Sequence, residues 1–243
     1  MMTYEDILVV IPARGGSKRI PDKNIKLICG QPMIHWPLME LQKAFGADNI
    51  LVTTDSDSIK ETVERKGLRV PFIRPKNLSD DFVGTVPVVS HALKWFEENV
   101  REVDLVLTVY PTAVLLNIDD IRSSVSVIKE DENCDCVMSA ANFPFPIQRA
   151  VFENKLGYAE MFEPANYHER SQDLVAAKHD AGQFYLTKAQ AVRRGAILTN
   201  SNVRLQMLHR SKVIDIDTLE DLEIAEERLA MCKLPLGESA WSF

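Results

Sequence analysis

Short apolar runs bounded by turn formers alternate along this chain with segments in which apolar residues recur every three to four positions. The first pattern is that of strands covered on both faces, and the second is that of helices with a single apolar stripe. Strands are therefore expected at Ile7–Ile11, Ile50–Thr53, Val70–Ile73, Leu105–Val109, Cys136–Ala140 and Val213–Ile216. Between them, Ile34, Leu38, Leu41 and Phe45 mark one helix, Ile59 and Val63 a second, and Val89, Leu93 and Phe96 a third. A last helix is expected over Thr218–Cys232, with Leu219, Leu222, Ala225 and Leu229 on one face and acids at its start that suit the helix dipole. Repeated βα units of this kind predict an α/β fold with a mostly parallel sheet and helices on both faces.

The rhythm breaks between Asn142 and Asp180, where Pro, Phe, Tyr, His and Arg accumulate. An unstructured loop of that length is uncommon inside a domain, so 142–180 reads as an inserted hairpin or subdomain that packs on something, a subunit partner being one such thing. The whole chain, 1–243, then reads as one domain with that insertion. The Leu234–Phe243 tail, with Trp241, carries no signal.

Composition narrows the function classes. An apolar content of 46% over 243 residues is enough for a sizeable core. Lys and Arg total 28 against 35 Asp and Glu, a net charge of -7, which disfavours a general nucleic-acid surface and makes any local cation cluster a focused anion site. Cys29, Cys134, Cys136 and Cys232 lack zinc-site spacing and read as reduced thiols. The first residues carry acids where a secretory signal needs cations, and no apolar run approaches a membrane span, so the expectation is a soluble, cytoplasmic protein with no membrane partner.

Such a cluster follows the first strand. In IPARGGSKRIPDKN, Arg14, Lys18, Arg19 and Lys23 surround Gly15, Gly16 and Ser17 at a strand end. Glycines let backbone N–H groups approach an anion, Arg offers a fork of donors and Lys a compact charge, a combination suited to a polyphosphate. Neither the Walker loop spacing nor the dinucleotide fingerprint is present, so ordinary ATPase and dehydrogenase readings lose ground; a solvated basic turn is the alternative. Far along the chain, Asp215 and Asp217 lie two apart in IDIDT, a spacing that sends both carboxylates to one face of a strand, where they would converge on a hard divalent ion. Asp217 with Glu220 also has capping-box spacing, and Ser79 or Asp80 has the look of a helix cap, so both capping alternatives stand beside the functional ones. The segments from Arg170 to Asp173 and from His179 to Tyr185 add polar groups that would serve either a ligand or a subunit contact.

The run IPARGGSKRIPDKNI resembles the opening signature of the bacterial acylneuraminate cytidylyltransferases, which make CMP-linked sialic acids from CTP. The resemblance implies a Rossmann-like domain of the nucleotide-diphospho-sugar transferase type, with a dimerisation insertion and a homodimer. It puts Ala13, Arg14, Gly15, Ser17, Lys23 and Asn24 on nucleotide-binding positions, with Arg14 and Lys23 beside the triphosphate in catalytic roles. The stretch from Arg74 to Asp81 resembles the family segment that contacts cytosine and ribose, adding Arg74, Val83 and Thr85. IDIDTLEDLEIAE resembles the family's metal motif, implying Mg²⁺ on Asp215 and Asp217. Tyr110, Arg170, Gln172, His179, Gln183 and Tyr185 are the implied sugar-binding residues.

Within the family, LSDDFVGTVPV, YPTA, RSQD and HDAGQFY resemble the pseudaminic acid branch, although Leu186 and Val114 depart from its usual Trp and Pro. The implied activity is transfer of CMP from CTP to the anomeric hydroxyl of pseudaminic acid, a nine-carbon 2-keto sugar acid, with release of pyrophosphate. N-acetylneuraminic or legionaminic acid as acceptor, or a non-catalytic nucleotide-binding relative, are the alternative readings.

Overall fold

The sequence ILVVIP is apolar on both sides of its pleat, and it forms β1 (Ile7–Pro12), a strand buried along nearly its whole length. Ile7, Val9 and Ile11 enter one core and Leu8 and Val10 the other, as the twofold repeat of a strand requires. The computed structural model describes residues 6–80, 82–196 and 198–233; Asp81, which closes the expected base-contacting segment, and the 234–243 tail lie outside the described residues.

Two short strands, β2 (Leu27–Ile28) and β3 (Gln31–Pro32), form a small hairpin, and β4 (Ile50–Thr53), β5 (Leu105–Val109) and β6 (Cys136–Asn142) join β1 in the main sheet. Within the insertion, β7 (Val151–Glu153) pairs antiparallel with β8 (Ala159–Met161). The chain then returns to the main sheet with β9 (Lys178–Lys188) and β10 (Val203–Met207), giving the strand order β10-β6-β9-β5-β1-β4. β1 is parallel to β4 and β5, and β10 to β6, while β9 runs against both its neighbours. The mostly parallel sheet is as expected, and β9 is its one reversed member.

The helical stripes pack as read except at Leu219, which is exposed at the first turn of the last helix and outside its apolar face. α1 (His35–Phe45), α2 (Asp57–Glu64) and α4 (Ile118–Glu130) place Leu38, Leu41, Ile59, Val63, Ile121 and Ile128 in the first core. α3 (Thr85–Asn99) and α5 (Ala189–Arg193) bring Val89, Leu93, Phe96 and Val192 to the second. A third cluster joins Leu222, Ala225 and Leu229 of α6 (Leu219–Lys233) to Ile20, Ile28, Met33 and Ile216. Each such fully buried side chain contributes roughly 1.5–3 kcal/mol. Through Ile20 and Ile216 that cluster fastens the cationic loop to the acidic segment near the carboxyl end.

Two expected strands are corrected. Val70–Ile73 makes only an isolated bridge from Ile73 to Thr54, because Pro71 supplies no donor to a ladder. Val213–Ile216 pairs with no strand; the sheet edge it would have taken is occupied by β10. The insertion does hold a hairpin, but β6 runs into its expected start and β9 begins before its expected end. No helix among the described residues is long and apolar enough to cross a membrane.

Candidate active site

A cleft of about 800 Å³ opens at the carboxyl ends of the parallel strands, the place where such sheets bind ligands. One wall is the cationic loop after β1: Arg14, Ser17, Lys18, Arg19, Lys23 and Asn24 all line it. The loop is braced from behind. Asn24 is buried and donates from its amide to the Arg14 carbonyl at 2.8 Å, and Asp22 turns the chain through the left-handed region at φ 53°. Ala13 is buried and gives its N–H to Thr53 O at 3.0 Å, while the Gly15 N–H goes to Asp55 Oδ1 at 2.9 Å. Those two backbone donors are therefore held by the β4 end and are not offered to an anion. Gly15 is required for a different reason from the one composition suggests: a Cβ there would lie 2.9 Å from Ser56 Cβ.

Arg74, Val83, Gly84 and Thr85 form the adjoining wall. The Arg74 side chain is only 3% exposed; burial, countered by the neighbouring Asp55, lowers its pKa from the ordinary guanidinium value. Its Nη2 donates to Asp55 Oδ1 at 3.4 Å and its Nε to Ser79 Oγ at 3.3 Å. Asp80 accepts the N–H groups of Phe82 and Val83, both at 2.9 Å, and α3 begins only at Thr85, so neither Ser79 nor Asp80 caps that helix. The segment is a built turn that delivers Val83 and Thr85 to the cleft.

Asp215 and Asp217 face the loop across the cleft. The capping alternative for Asp217 is decided against, because the reciprocal cap belongs to its neighbours: Thr218 N–H donates to Asp221 Oδ2 at 2.7 Å and Asp221 N–H to Thr218 Oγ1 at 3.2 Å. Asp217 Oδ1 instead accepts Arg19 Nη2 at 2.8 Å and Lys23 Nζ at 3.1 Å, while Lys23 also donates to Ile216 O at 2.8 Å. Burial first, and then the charge of Asp217, push Asp215 above the usual carboxylate range, with Lys23 and Arg19 pulling the other way. Among the described residues no group of three or more His, Cys, Asp and Glu could hold a metal ion. Two carboxylates nevertheless fit magnesium, a hard ion commonly held by one or two carboxylates together with substrate phosphates and waters.

The remaining implied residues divide. Tyr110 and Tyr185 line the cleft, their rings edge-to-face at 5.9 Å, with Tyr110 Oη 3.0 Å from Thr85 Oγ1. Burial raises both phenols, so Tyr185 remains a hydroxyl donor to the Asp180 carboxylate. Gln183 is buried with its amide committed to the Lys212 carbonyl, and His179 packs against Phe143 beyond the cleft. Arg170 and Gln172 sit exposed on the insertion, Arg170 paired with Asp173 at 2.7 Å, and neither lines this chain's own cleft. Asp180 and Gly182, which belong to the segment from His179 to Tyr185 but not to the implied sugar-binding set, do line it, as does Thr112. Gly182 takes φ +63°, and a Cβ there would lie 3.8 Å from the Asp215 carboxylate; the glycine inside a strand-like run was the sequence signal for a close approach.

A mostly parallel sheet whose carboxyl edge sets a cationic loop against a pair of carboxylates is a layout suited to an α/β nucleotidyltransferase, and the family match places the chain in that class. The chain belongs to the cytidylyltransferase family, whose profile matches residues 8–226. It is 36% identical, over 90% of its length and 94% of the relative's, to the pseudaminic acid cytidylyltransferase of Campylobacter jejuni. It is 26% identical, over 93% of its length and 97% of the relative's, to the CMP-N,N'-diacetyllegionaminic acid synthase of Legionella pneumophila. In fold it is similar to CMP:2-keto-3-deoxy-manno-octonic acid synthetase solved with CTP, at a TM-score of 0.69 and 17% identity, covering 93% of this chain and 98% of that one.

Proposed function

We propose that the protein transfers CMP from CTP to the anomeric hydroxyl of pseudaminic acid, releasing pyrophosphate. The observation that carries this reading is the meeting of Lys23 with Asp217 at 3.1 Å across 194 residues of sequence, which sets a cationic wall beside a pair of carboxylates in one cleft. The sugar is favoured by the 36% identity to enzymes named for it.

On this reading the triphosphate lies along Arg14, Ser17 and Lys23, with Asn24 holding the loop, and the base lies toward Arg74, Val83 and Thr85. Cytosine presents an exocyclic amine where uracil presents an oxygen, so acceptors near that edge discriminate the two. The anomeric oxygen attacks the α-phosphorus, the bond from that phosphorus to the bridging oxygen of the β-phosphate breaks, pyrophosphate leaves, and the hydroxyl proton passes to solvent. Arg14 and Lys23 act by position and charge, which is most of what phosphoryl-type transfer asks of a protein. Asp215 and Asp217 would hold Mg²⁺, which when bound supplies further neutralisation of phosphate charge. Tyr110 and Tyr185 bound the acceptor side of the cleft.

The insertion supports a homodimer. Phe145, Val151, Leu156, Tyr158, Phe162 and Tyr167 are all exposed on it, a density of apolar surface that a monomer seldom leaves uncovered. Arg170 and Gln172 then serve the sugar pocket of the second copy, and Gln183, whose carbonyl takes the Tyr110 N–H at 2.9 Å, holds Tyr110 in place.

Pyrophosphate release measured with CTP or UTP across a set of nonulosonic acids tests the proposal. The expected preference is for CTP with pseudaminic acid; faster turnover of N-acetylneuraminic or legionaminic acid would reassign the sugar, and release with none of them would remove the activity.

A further inference from the structure

One carboxylate in the neighbourhood of the cleft has no part in the reaction above. Asp55 follows β4 at the corner before α2, and it does not line the cleft. Its Oδ1 nevertheless accepts from both adjoining walls, from the Gly15 N–H at 2.9 Å and from Arg74 Nη2 at 3.4 Å. The two residues before this carboxylate repeat the connection: Thr53 O takes the Ala13 N–H at 3.0 Å, and Thr54 O takes the Arg74 N–H at 2.7 Å. The end of β4 is thus a common post to which the phosphate loop and the Arg74 turn are both tied.

The chemistry asks for a carboxylate at that post. Arg74 is almost wholly buried, and a buried guanidinium is costly unless a counter-charge satisfies it. Asp55 is the acid paired with it, and Ser79 takes only one further donor. A charged acceptor also holds a backbone N–H more strongly than a neutral one, which fixes the loop at Gly15, where the close approach to Ser56 already leaves no room for a side chain.

We infer that Asp55 is a positioning residue for nucleotide binding, holding the phosphate loop and Arg74 in one fixed relation without touching the nucleotide itself. This rests on the assignment of the cleft to CTP. Loss of the carboxylate leaves only the two backbone ties, so the loop at Gly15 and the Arg74 side chain are held less firmly relative to one another, and a ligand that must contact both loses affinity even though none of its own contacts has been deleted.

Equilibrium binding of CTP, without any sugar, to the wild-type protein and to Asp55→Ala, Asp55→Asn, Arg74→Ala and the Asp55→Ala/Arg74→Ala double variant tests the inference. Asp55→Ala is expected to weaken CTP binding at least tenfold. Asp55→Asn keeps an acceptor for the Gly15 N–H but not the charge for Arg74, and is expected to lose affinity threefold or more while recovering part of the alanine defect. In the Arg74→Ala background, Asp55→Ala is expected to cost clearly less than in the wild type, because part of its effect passes through Arg74. A purely structural role would lower the melting temperature and leave CTP affinity alone. CTP affinity within twofold of wild type in folded Asp55→Ala, or in Asp55→Asn should the alanine variant fail to fold, overturns the inference, as does strict multiplicativity of the two single effects. Failure of the wild-type protein to bind CTP is a separate result that removes the nucleotide assignment and this inference with it.

Discussion

Replacing Lys23 with Met keeps the length and apolar stem of the side chain and removes its charge. The Lys23 ammonium is three-quarters or more shielded, at 19% side-chain exposure, and lies 2.8 Å from Ile216 O and 3.1 Å from Asp217 Oδ1. A cation at about 4 Å from a phosphate oxygen attracts it by about 4 kcal/mol at an effective dielectric near 20. Desolvation and the open mouth of the cleft remove about half of that, leaving ~2 kcal/mol, or a roughly 30-fold loss in kcat/KM for CTP. Lys23 also occupies Asp217 Oδ1, so the magnesium series separates loss of the triphosphate contact from any change in the requirement for the ion. Folding should change little: Arg19 still pairs with Asp217 at 2.8 Å, and a partly exposed ion pair is worth about 0–1 kcal/mol. The assay is the initial rate of pyrophosphate release at subsaturating CTP across a magnesium series, with a thermal melt of the same sample. Turnover within threefold of wild type at every magnesium concentration, in a protein that melts normally, would refute the assignment of Lys23 to the triphosphate.

Thr218→Ala and Asp217→Asn separate cap from metal ligand: the first should cost about 1 kcal/mol of stability and spare activity, the second should abolish most activity with a near-normal melt, and the reverse pattern would return Asp217 to a capping role. Burial is the main cause that lowers the pKa of both His35 and His91, with Arg74 and Lys94 adding to it at His91 and the bond to Thr62 opposing it at His35. The folded state therefore holds both neutral where the unfolded chain would take up a proton, so stability is complete above about pH 6.5 and falls as pH drops below that value, by at most about 1.4 kcal/mol per unit for each histidine. His91→Phe, which also deletes an unpartnered buried Nδ1, should flatten the acid side of a melting-temperature profile; curves that stay parallel to wild type would exclude His91 as a source. If the protein pairs through its insertion as proposed, Phe145→Asp with Tyr167→Asp should convert the dimer to a monomer in sedimentation velocity; a wild-type monomer would remove the dimer, and an unchanged dimer would place the contact elsewhere.

The apolar runs of β1, β4 and β5 were legible because strands covered on both faces need little else to specify them, and the three-to-four spacing in α1 and α3 was legible for the same reason. β9 was not, since Gly182 sits in it at positive φ and a register shift between Met138 and Ala140 breaks its alternation against β6. β10 does carry a strand signal, Val203, Leu205 and Met207 alternating with exposed Arg204 and half-buried Gln206, but it is short and lies at the sheet edge, and the more apolar Val213–Ile216 drew the assignment instead. The same division runs through the site. Which residues could meet a phosphate or a metal follows from charge and spacing, and Arg14, Lys23, Arg74, Asp215 and Asp217 do line one cleft. What a local pattern cannot carry is which groups are already spoken for. The Gly15 N–H, which composition offers to an anion, is held by Asp55, and Asp217, which spacing offers to a helix end, is left to Arg19 and Lys23 because Thr218 and Asp221 cap α6 between themselves. Both outcomes depend on partners 40 and 194 residues away, so they are set by how β4 and α6 dock against the loop and not by anything in the loop itself.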